Sequence, residues 1–400
     1  MPVLFLTVFI DFVGFGIIIP ILPFFGLRYG ASPLEIAFLF AIYSTVQFFS
    51  GPLWGRLSDR IGRRPVLLLT LAGAALAYVA FGFADSFATL LLARGLSGLM
   101  AGNMGIANAM VADSTGPERR AGGMATLGAA ISLGFVVGPL LGSLLVGNDP
   151  LSVDHAFPAF TAAALSGAAF LLGLVMLKET LPQARRRTAN QPAVGRLKIV
   201  AMMRAIPYVP VLVLHMAVLS YVVSQMTAVF PLWSEQRLAW GPHQISYLFA
   251  AIGLIVATMQ AGVVGRLNRR LGDGATLLVG AVIATTGLVA VILSRDSLTA
   301  GAAICLSFAG TSLCTPVITS LISRLTPAEH QGGVLGASNS AASLGRIVGP
   351  PVGGGFYQAL GPAWPFAAAA GLVALIGIWG WRYRTAGDAA RAGVDPQKPR

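Results

Sequence analysis

The sequence predicts an all-α membrane protein with twelve transmembrane helices, arranged as two six-helix bundles related by a parallel repeat. Three observations predict it. The 400 residues are 56% hydrophobic with a mean hydropathy of +0.76, more apolar surface than a water-soluble domain can bury. The apolar residues gather into twelve runs of about 18 residues or more, the length that crosses a bilayer as a helix. Two separate motifs recur at offsets of 210 and 211 residues, so the last six runs restate the first six.

The runs lie near 3–26, 34–54, 66–83, 87–111, 121–146, 156–177, 206–233, 245–264, 275–293, 298–322, 332–356 and 363–381. None alternates like a strand, and a helix pairs every backbone group internally, as lipid requires. The opening run, MPVLFLTVFIDFVGF, has no basic start and carries Asp11, so it reads as a first span and not as a cleaved signal peptide. The stretch 178–205 is the only long polar segment inside the chain. It predicts a bundle over 1–180, a linker over 181–205, a second bundle over 206–384 and a tail over 385–400. Arg185, Arg186 and Arg187 in that linker read as orientation charges, with anionic lipid as the alternative contact.

Charge supplies the orientation. Alternate loops hold 22 Lys and Arg on one side and three (Arg28, Arg237, Arg295) on the other. The basic side is expected to be cytoplasmic, with both termini there, in the cell (inner) membrane. The net charge of +12 is spread over short loops and forms no continuous basic face, which argues against nucleic acid as a partner. Cys305 and Cys314 share one apolar run and read as small buried hydrophobes. No metal or nucleophile constellation is present and no lysine follows a P-loop pattern, so neither an enzyme nor an ATPase is expected, and no cofactor. An ion gradient remains as energy source.

The repeat is read from two motifs. GRLSDRIGRRP at 55 is answered by GRLNRRLGDGA at 265, with Gly55, Arg56, Leu57, Arg60 and Gly62 recurring as Gly265, Arg266, Leu267, Arg270 and Gly272. GFVVGPLLG at 134 is answered by GRIVGPPVG at 345, with Gly134, Gly138, Pro139 and Gly142 recurring as Gly345, Gly349, Pro350 and Gly353. Six spans per copy is an even number, so both copies run the same way through the membrane, as in transporters with a central midplane site. In the first loop Asp59 and Arg63 are spaced to pair on one helical turn, and in the second Arg269 and Asp273 reverse the signs. Two readings stand side by side. The loop is an orientation charge with a weak surface pair, or it is a latch in which Asp59 accepts from a neighbouring helix N-terminus and lets go when the halves rock.

Few ionisable groups lie at membrane depth, and such groups are functional by default. Asp11 is about 12 Å into span one by helical rise. A carboxyl shielded from water there suits a proton carrier or the counter-charge of a cationic substrate. Arg94 in span four shares a face with Gly98, Ala101, Gly105, Asn108 and Ala109. An arginine on so small and polar a face argues for a cavity or a buried ion pair. Arg346 lies inside the second glycine motif and can meet an anionic group or a gate carboxylate. His215 in span seven can titrate near neutral pH. Gln47, Asn103, Asn108, Gln225, Gln260 and Asn339 are neutral groups able to orient a ligand. Gly134, Gly138 and Gly142 form a doubled GxxxG that packs helices closely, and Pro139 permits a bend.

GRLSDRIGRRP resembles the signature loop between spans two and three of the major facilitator superfamily. LARGLSGLMAG at 92–102 resembles its span-four motif, and GFVVGPLLG its antiporter motif in span five. DFVGFGIIIPILP, DRIGRRPVLLL and WSEQRLAW resemble most the tetracycline resistance efflux group and related drug/proton antiporters. The resemblance implies the major facilitator fold and a gate on the cytoplasmic side built from Gly55, Asp59, Arg60, Gly62 and Arg63, with Asp113 as partner. It also implies a role for Arg94 in proton coupling, and a seal against proton leak at Gly134, Gly138, Pro139 and Gly142. One departure is visible: where that group carries an acid in span three, residues 71–79 read LAGAALAYV. The expected function is proton-coupled efflux of a drug-like amphipathic small molecule, tetracycline-like or multidrug, by alternating access. The alternative is a proton-coupled symporter for a sugar or other metabolite. The expected partners are that small molecule, protons and membrane lipid, with the chain a monomer.

Overall fold

The computed structural model describes residues 2–147, 154–181, 202–327 and 329–391, with the side chains of 117, 121 and 382–391 left undescribed. Arg185–Arg187 and the end of the tail therefore lie outside the described residues. In chain order the helices are α1 (Pro2–Arg28), α2 (Pro33–Ile61), α3 (Arg63–Gly82), α4 (Phe87–Met100), α5 (Asn103–Ser114), α6 (Pro117–Leu145) and α7 (Ala156–Met176). They continue with α8 (Val209–Leu238), α9 (Pro242–Thr258), α10 (Val264–Leu271), α11 (Asp273–Leu293), α12 (Ser297–Leu325), α13 (Gln331–Leu360) and α14 (Trp364–Arg391).

Eleven spans among the described residues are long and apolar enough to cross a membrane. The eleventh in order, α13, has the length but is diluted by glycine and serine. With it the twelve expected spans are all helical. Two are not continuous helices. Span four breaks at Ala101–Gly102 into α4 and α5, and span eight passes through a π-helical turn, Met259–Val263, between α9 and α10. Neither interruption is marked in the hydropathy of runs 87–111 and 245–264. A break at membrane depth needs its freed carbonyls satisfied by neighbours, and that is information about other helices.

The chain divides into two compact units, Met1–Pro192 with Phe230–Leu254, and Ala193–Val229 with Ile255–Arg400. The first unit thus takes in the start of α9, where a ring nitrogen of His243 lies 2.7 Å from the Val146 carbonyl oxygen after α6. Within this unit α1 is the central element. Its mean packing partner is α6, whose glycine ladder lets the two backbones meet: a methyl group at Gly138 would lie 2.6 Å from the Val13 carbonyl oxygen and 2.7 Å from Gly16 Cα. Close approach of this kind needs residues without side chains. On another face α1 meets α7. A core of Leu4, Val8, Val66, Leu67, Leu71, Ile106, Met110 and Val111 joins α1, α3 and α5 below it.

Gly62 joins α2 to α3 with φ +114°, and Gly272 joins α10 to α11 with φ +80°. Both values favour glycine over any residue with a Cβ. The same turn is therefore made in both copies of the repeat.

Candidate functional site

Asp11 sits on the inner face of α1, 5% exposed. The Ser166 hydroxyl of α7 donates to Oδ1 at 3.0 Å, and the Asn103 amide at the start of α5 donates to Oδ2. Among the described residues, no basic side chain is within ion-pairing distance of it. Two neutral donors hold this carboxylate, so it can take a proton without leaving a cation unpaired. Ser166 was not singled out from the sequence, because one serine in an apolar run carries no signal by itself.

Asn103 has this position because span four is broken. Three side chains on one face of α2, at i, i+3 and i+7, take up the carbonyls that the break leaves. Ser50 Oγ donates to Gly98 at 3.2 Å, Trp54 Nε1 to Leu99 at 2.5 Å and Gln47 Nε2 to Ala101 at 3.4 Å. Gln47, expected to orient a ligand, is placed here as a backbone cap. Gly102 is needed at the turn because a methyl group there would lie 2.6 Å from the Trp54 ring. The Asn103 side chain then works at both ends, accepting from the Met104 amide at 2.8 Å and donating to Asp11.

Arg94 is 1% exposed. Its Nε donates to the Leu39 carbonyl at 3.4 Å, and its guanidinium carbon stands 4.7 Å over the Tyr43 ring. Its Nη1 has no hydrogen-bond partner. The cation is thus held by a carbonyl and an aromatic face, and by no carboxylate. Asp11 and Arg94 do not form an ion pair. The buried phenol of Tyr78 on α3 interacts electrostatically with Asp11, Tyr43 and Arg94. Tyr78 falls in the 71–79 stretch where the resemblance anticipates an acid.

The remaining candidates are described each within its own unit. Asn108, half-buried on α5, makes no described hydrogen bond. In the second unit, His215 is buried in α8, and Gln225 is buried and donates to the Pro365 carbonyl at 2.6 Å, tying α8 to α14. Arg346 is exposed on α13 and donates to Ser343 Oγ at 2.7 Å.

A second cluster lies at the basic end of the first unit. Arg63 opens α3 and is 12% exposed. It reaches Asp59 of α2 at 2.6 Å across the Gly62 turn, Asp113 of α5 at 3.1 Å, and Ser58 Oγ at 2.7 Å. Arg60 points to solvent. The α3 N-terminus is capped by Glu179, not by Asp59. Its two carboxylate oxygens accept from the Arg63 and Arg64 amides at 3.0 and 3.2 Å. Burial would push the Glu179 carboxyl up, but the amides of Leu181, Arg63, Arg64 and Thr180 together hold it below the usual glutamate value. Glu179 looked like one more charge in a polar linker, since its target lies 115 residues away in sequence.

In the second unit the corresponding cluster has its charges reversed. Asp273, opening α11, is ion-paired with Arg324 of α12, and Asn268 Nδ2 donates to its other oxygen at 2.7 Å. Arg324 is the counterpart of Asp113 at the repeat offset of 211 residues.

Twelve helical spans, an internal repeat, a buried carboxylate without a cation and a charged turn at one end define a class: multi-pass membrane transporters. Comparison then places the chain. A profile for the Major Facilitator Superfamily matches residues 4–313 and 298–399, so the chain belongs to that superfamily. It is 31% identical over 363 residues to the tetracycline resistance protein, class G, of Vibrio anguillarum, covering 90% of each chain. It is 28% identical to multidrug resistance protein 2 of Bacillus subtilis (strain 168), covering 93% of this chain and 92% of that one. Among solved structures it superposes on the human organic anion transporter MFSD10 with a TM-score of 0.70 at 24% identity, covering 95% and 98%. It superposes on a mutant of the nucleoside transporter NupG with a TM-score of 0.80 at 12% identity, covering 94% and 98%. The protein is a transporter and not an enzyme.

Proposed function

We propose that the chain exports a drug-like amphipathic small molecule in exchange for protons, by alternating access between two six-span halves, as a monomer in the cell membrane with both termini cytoplasmic. The observation that carries this reading is the Asp11 site. A buried carboxylate held, among the described residues, by Ser166 and Asn103 alone can load and release a proton as its exposure changes. The names of the relatives, tetracycline and multidrug resistance proteins, support efflux. The 22-to-three split of basic residues supports the orientation. Arg94, Gln47, Asn103, Asn108, His215, Gln225 and Arg346 remain the proposed coupling and substrate residues, with Arg94 acting on Asp11 electrostatically and not by an ion pair. The buried Arg94 cation, with no carboxylate beside it, favours one second reading of the substrate: that it carries an anionic group.

The test uses proteoliposomes with a trapped pH dye and an acidic lumen. Tetracycline and a panel of lipophilic cations and organic anions are added singly. Proton release on adding one compound, abolished in Asp11→Asn, is the expected result. Vesicles that hold their gradient yet stay silent across the panel would overturn efflux of this class, and sugars would be tried next.

A further inference from the structure

The two clusters of the first unit share one element. Asn103, at the first position of α5, holds Asp11. Asp113, one residue before its end, holds Arg63. Ten helical steps of unbroken helix separate them, about 15 Å by helical rise. At its other side α5 is cut free from α4 by the Ala101–Gly102 break. Two carbonyls that a continuous helix would have bonded to amides of α5, those of Leu99 and Ala101, are bonded by Trp54 and Gln47 of α2, while Ser50 shares the Gly98 carbonyl with the Ala101 amide. A small rotation of α5 about that break therefore costs no hydrogen bond of α4.

We propose that α5 is a strut that transmits the protonation state of Asp11 to the Arg63–Asp113 ion pair, with Asn103 as the positioning residue and Ala101–Gly102 as the hinge. This rests on the proton-coupled reading of Asp11 given above. The bond from the Asn103 amide to an ionised carboxylate is charge-assisted, and such bonds are roughly twice as strong as neutral ones. When Asp11 binds a proton the assistance is lost and the N-terminal end of α5 is released. A rigid helix carries that displacement to Asp113, whose bond to Arg63 depends on distance and angle. Arg63 keeps Asp59, 2.6 Å away, so it changes partners without being stranded. The groups facing Asp11 are few. Tyr78 of α3 is near enough to feel its charge, as it feels those of Arg94 of α4 and Tyr43 of α2, α7 has no ionisable residue, and the only ones on α6 are Glu118, Arg119 and Arg120 at its basic end.

The experiment places a nitroxide on α5 through Ser114→Cys, with Cys305→Ser and Cys314→Ser to remove the native thiols. A second protein carries the label on α4 through Leu92→Cys, an exposed site before the hinge. Asp11→Asn, which mimics the protonated carboxyl, is expected to change the ratio of the two spectral components at 114 by about fivefold and to leave 92 unchanged. In Asn103→Ala that response to Asp11→Asn disappears. A full response at 114 in Asn103→Ala, an equal response at 92, or none at 114 in the parent would each overturn the strut. If Asn103→Ala does not fold, the labelled parent is compared at pH 8 and pH 5. A shift at 114 that is absent at 92 and absent in Asp11→Asn supports the strut, and a shift that persists in Asp11→Asn overturns it. The readout needs no substrate, so failure of proton antiport in liposomes and failure of the strut are separate results.

Discussion

The loop at 55–65 and its repeat at 265–275 make the same turn and the same cross-helix pair with opposite signs. Arg63 meets Asp113, and Asp273 meets Arg324. Asp59 of the first copy stands where Arg269 stands in the second. Even the neutral partner changes character. Ser58 Oγ accepts from Arg63, whereas Asn268, at the same repeat position, donates to Asp273. What differs is the helix N-terminus. Its unpaired amides and dipole favour a negative charge. Asp273 supplies that charge itself, at the first position of α11. Arg63, at the first position of α3, is a cation where an anion is wanted, and a third element answers: Glu179, from beyond α7, caps both Arg63 and Arg64 amides. The geometry of the pair is common to both copies, while the sign decides whether a further segment is recruited.

The comparison can be broken most directly in the second copy. Asp273 has a side chain only 2% exposed, and removing its partner by Arg324→Ala leaves a buried carboxylate. The expected loss is about 2 kcal/mol, less than the roughly 3–5 of a fully buried pair because Arg324 is itself half-exposed. Thermal melting in detergent measures it, and a change no larger than that of Asp113→Asn would remove the distinction between the copies. Next in size is the cap. Glu179→Ala is expected to cost about 1 kcal/mol. In a protein carrying Asp59→Arg, Arg63→Asp and Asp113→Arg together, which gives the first copy the signs of the second, the same change should cost nothing or stabilise. An undiminished cost in that background would show that Glu179 acts by packing and not by charge.

The smallest effect is that of pH. The Glu179 carboxyl is held below its ordinary value of 4.5 in the folded protein. Its contribution is therefore complete above pH 4.5 and is lost as the pH falls through the lower folded value. A melting-temperature difference between the parent and Glu179→Gln should shrink as the pH is lowered from 6 to below 4. A difference that is independent of pH would mean the carboxylate is not what caps α3.

Much of the site was legible in the chain, and the missing parts have a common character. Asp11 stood out because it is the lone acid inside a long apolar run, and the pairing of Asp59 with Arg63 was expected from their spacing, although it forms across the Gly62 turn and not along one helix. Asp113 entered only through resemblance to a family. Glu179, Ser166 and Trp54 gave no signal, since each bonds a group far along the chain, and nothing local marks a polar residue that caps another helix. Gln47 stood out as a group able to orient a ligand, and nothing in the sequence marked it as a backbone cap. Its amide closes the break in span four, and the break itself hides in the sequence Ala101–Gly102, one of many small-residue pairs in this protein.

The sequence by itself determined the twelve spans, the repeat and the basic side, because hydropathy, motif spacing and loop charge are properties read along the chain. Only the tertiary structure decided that α4 and α5 are separate, that Arg94 rests on Tyr43 and not on Asp11, and that Glu179 serves α3. Those are bonds between helices. In lipid, a freed carbonyl, a buried cation or a helix end must find a partner somewhere, and which one it finds depends on what the fold brings within about 3 Å.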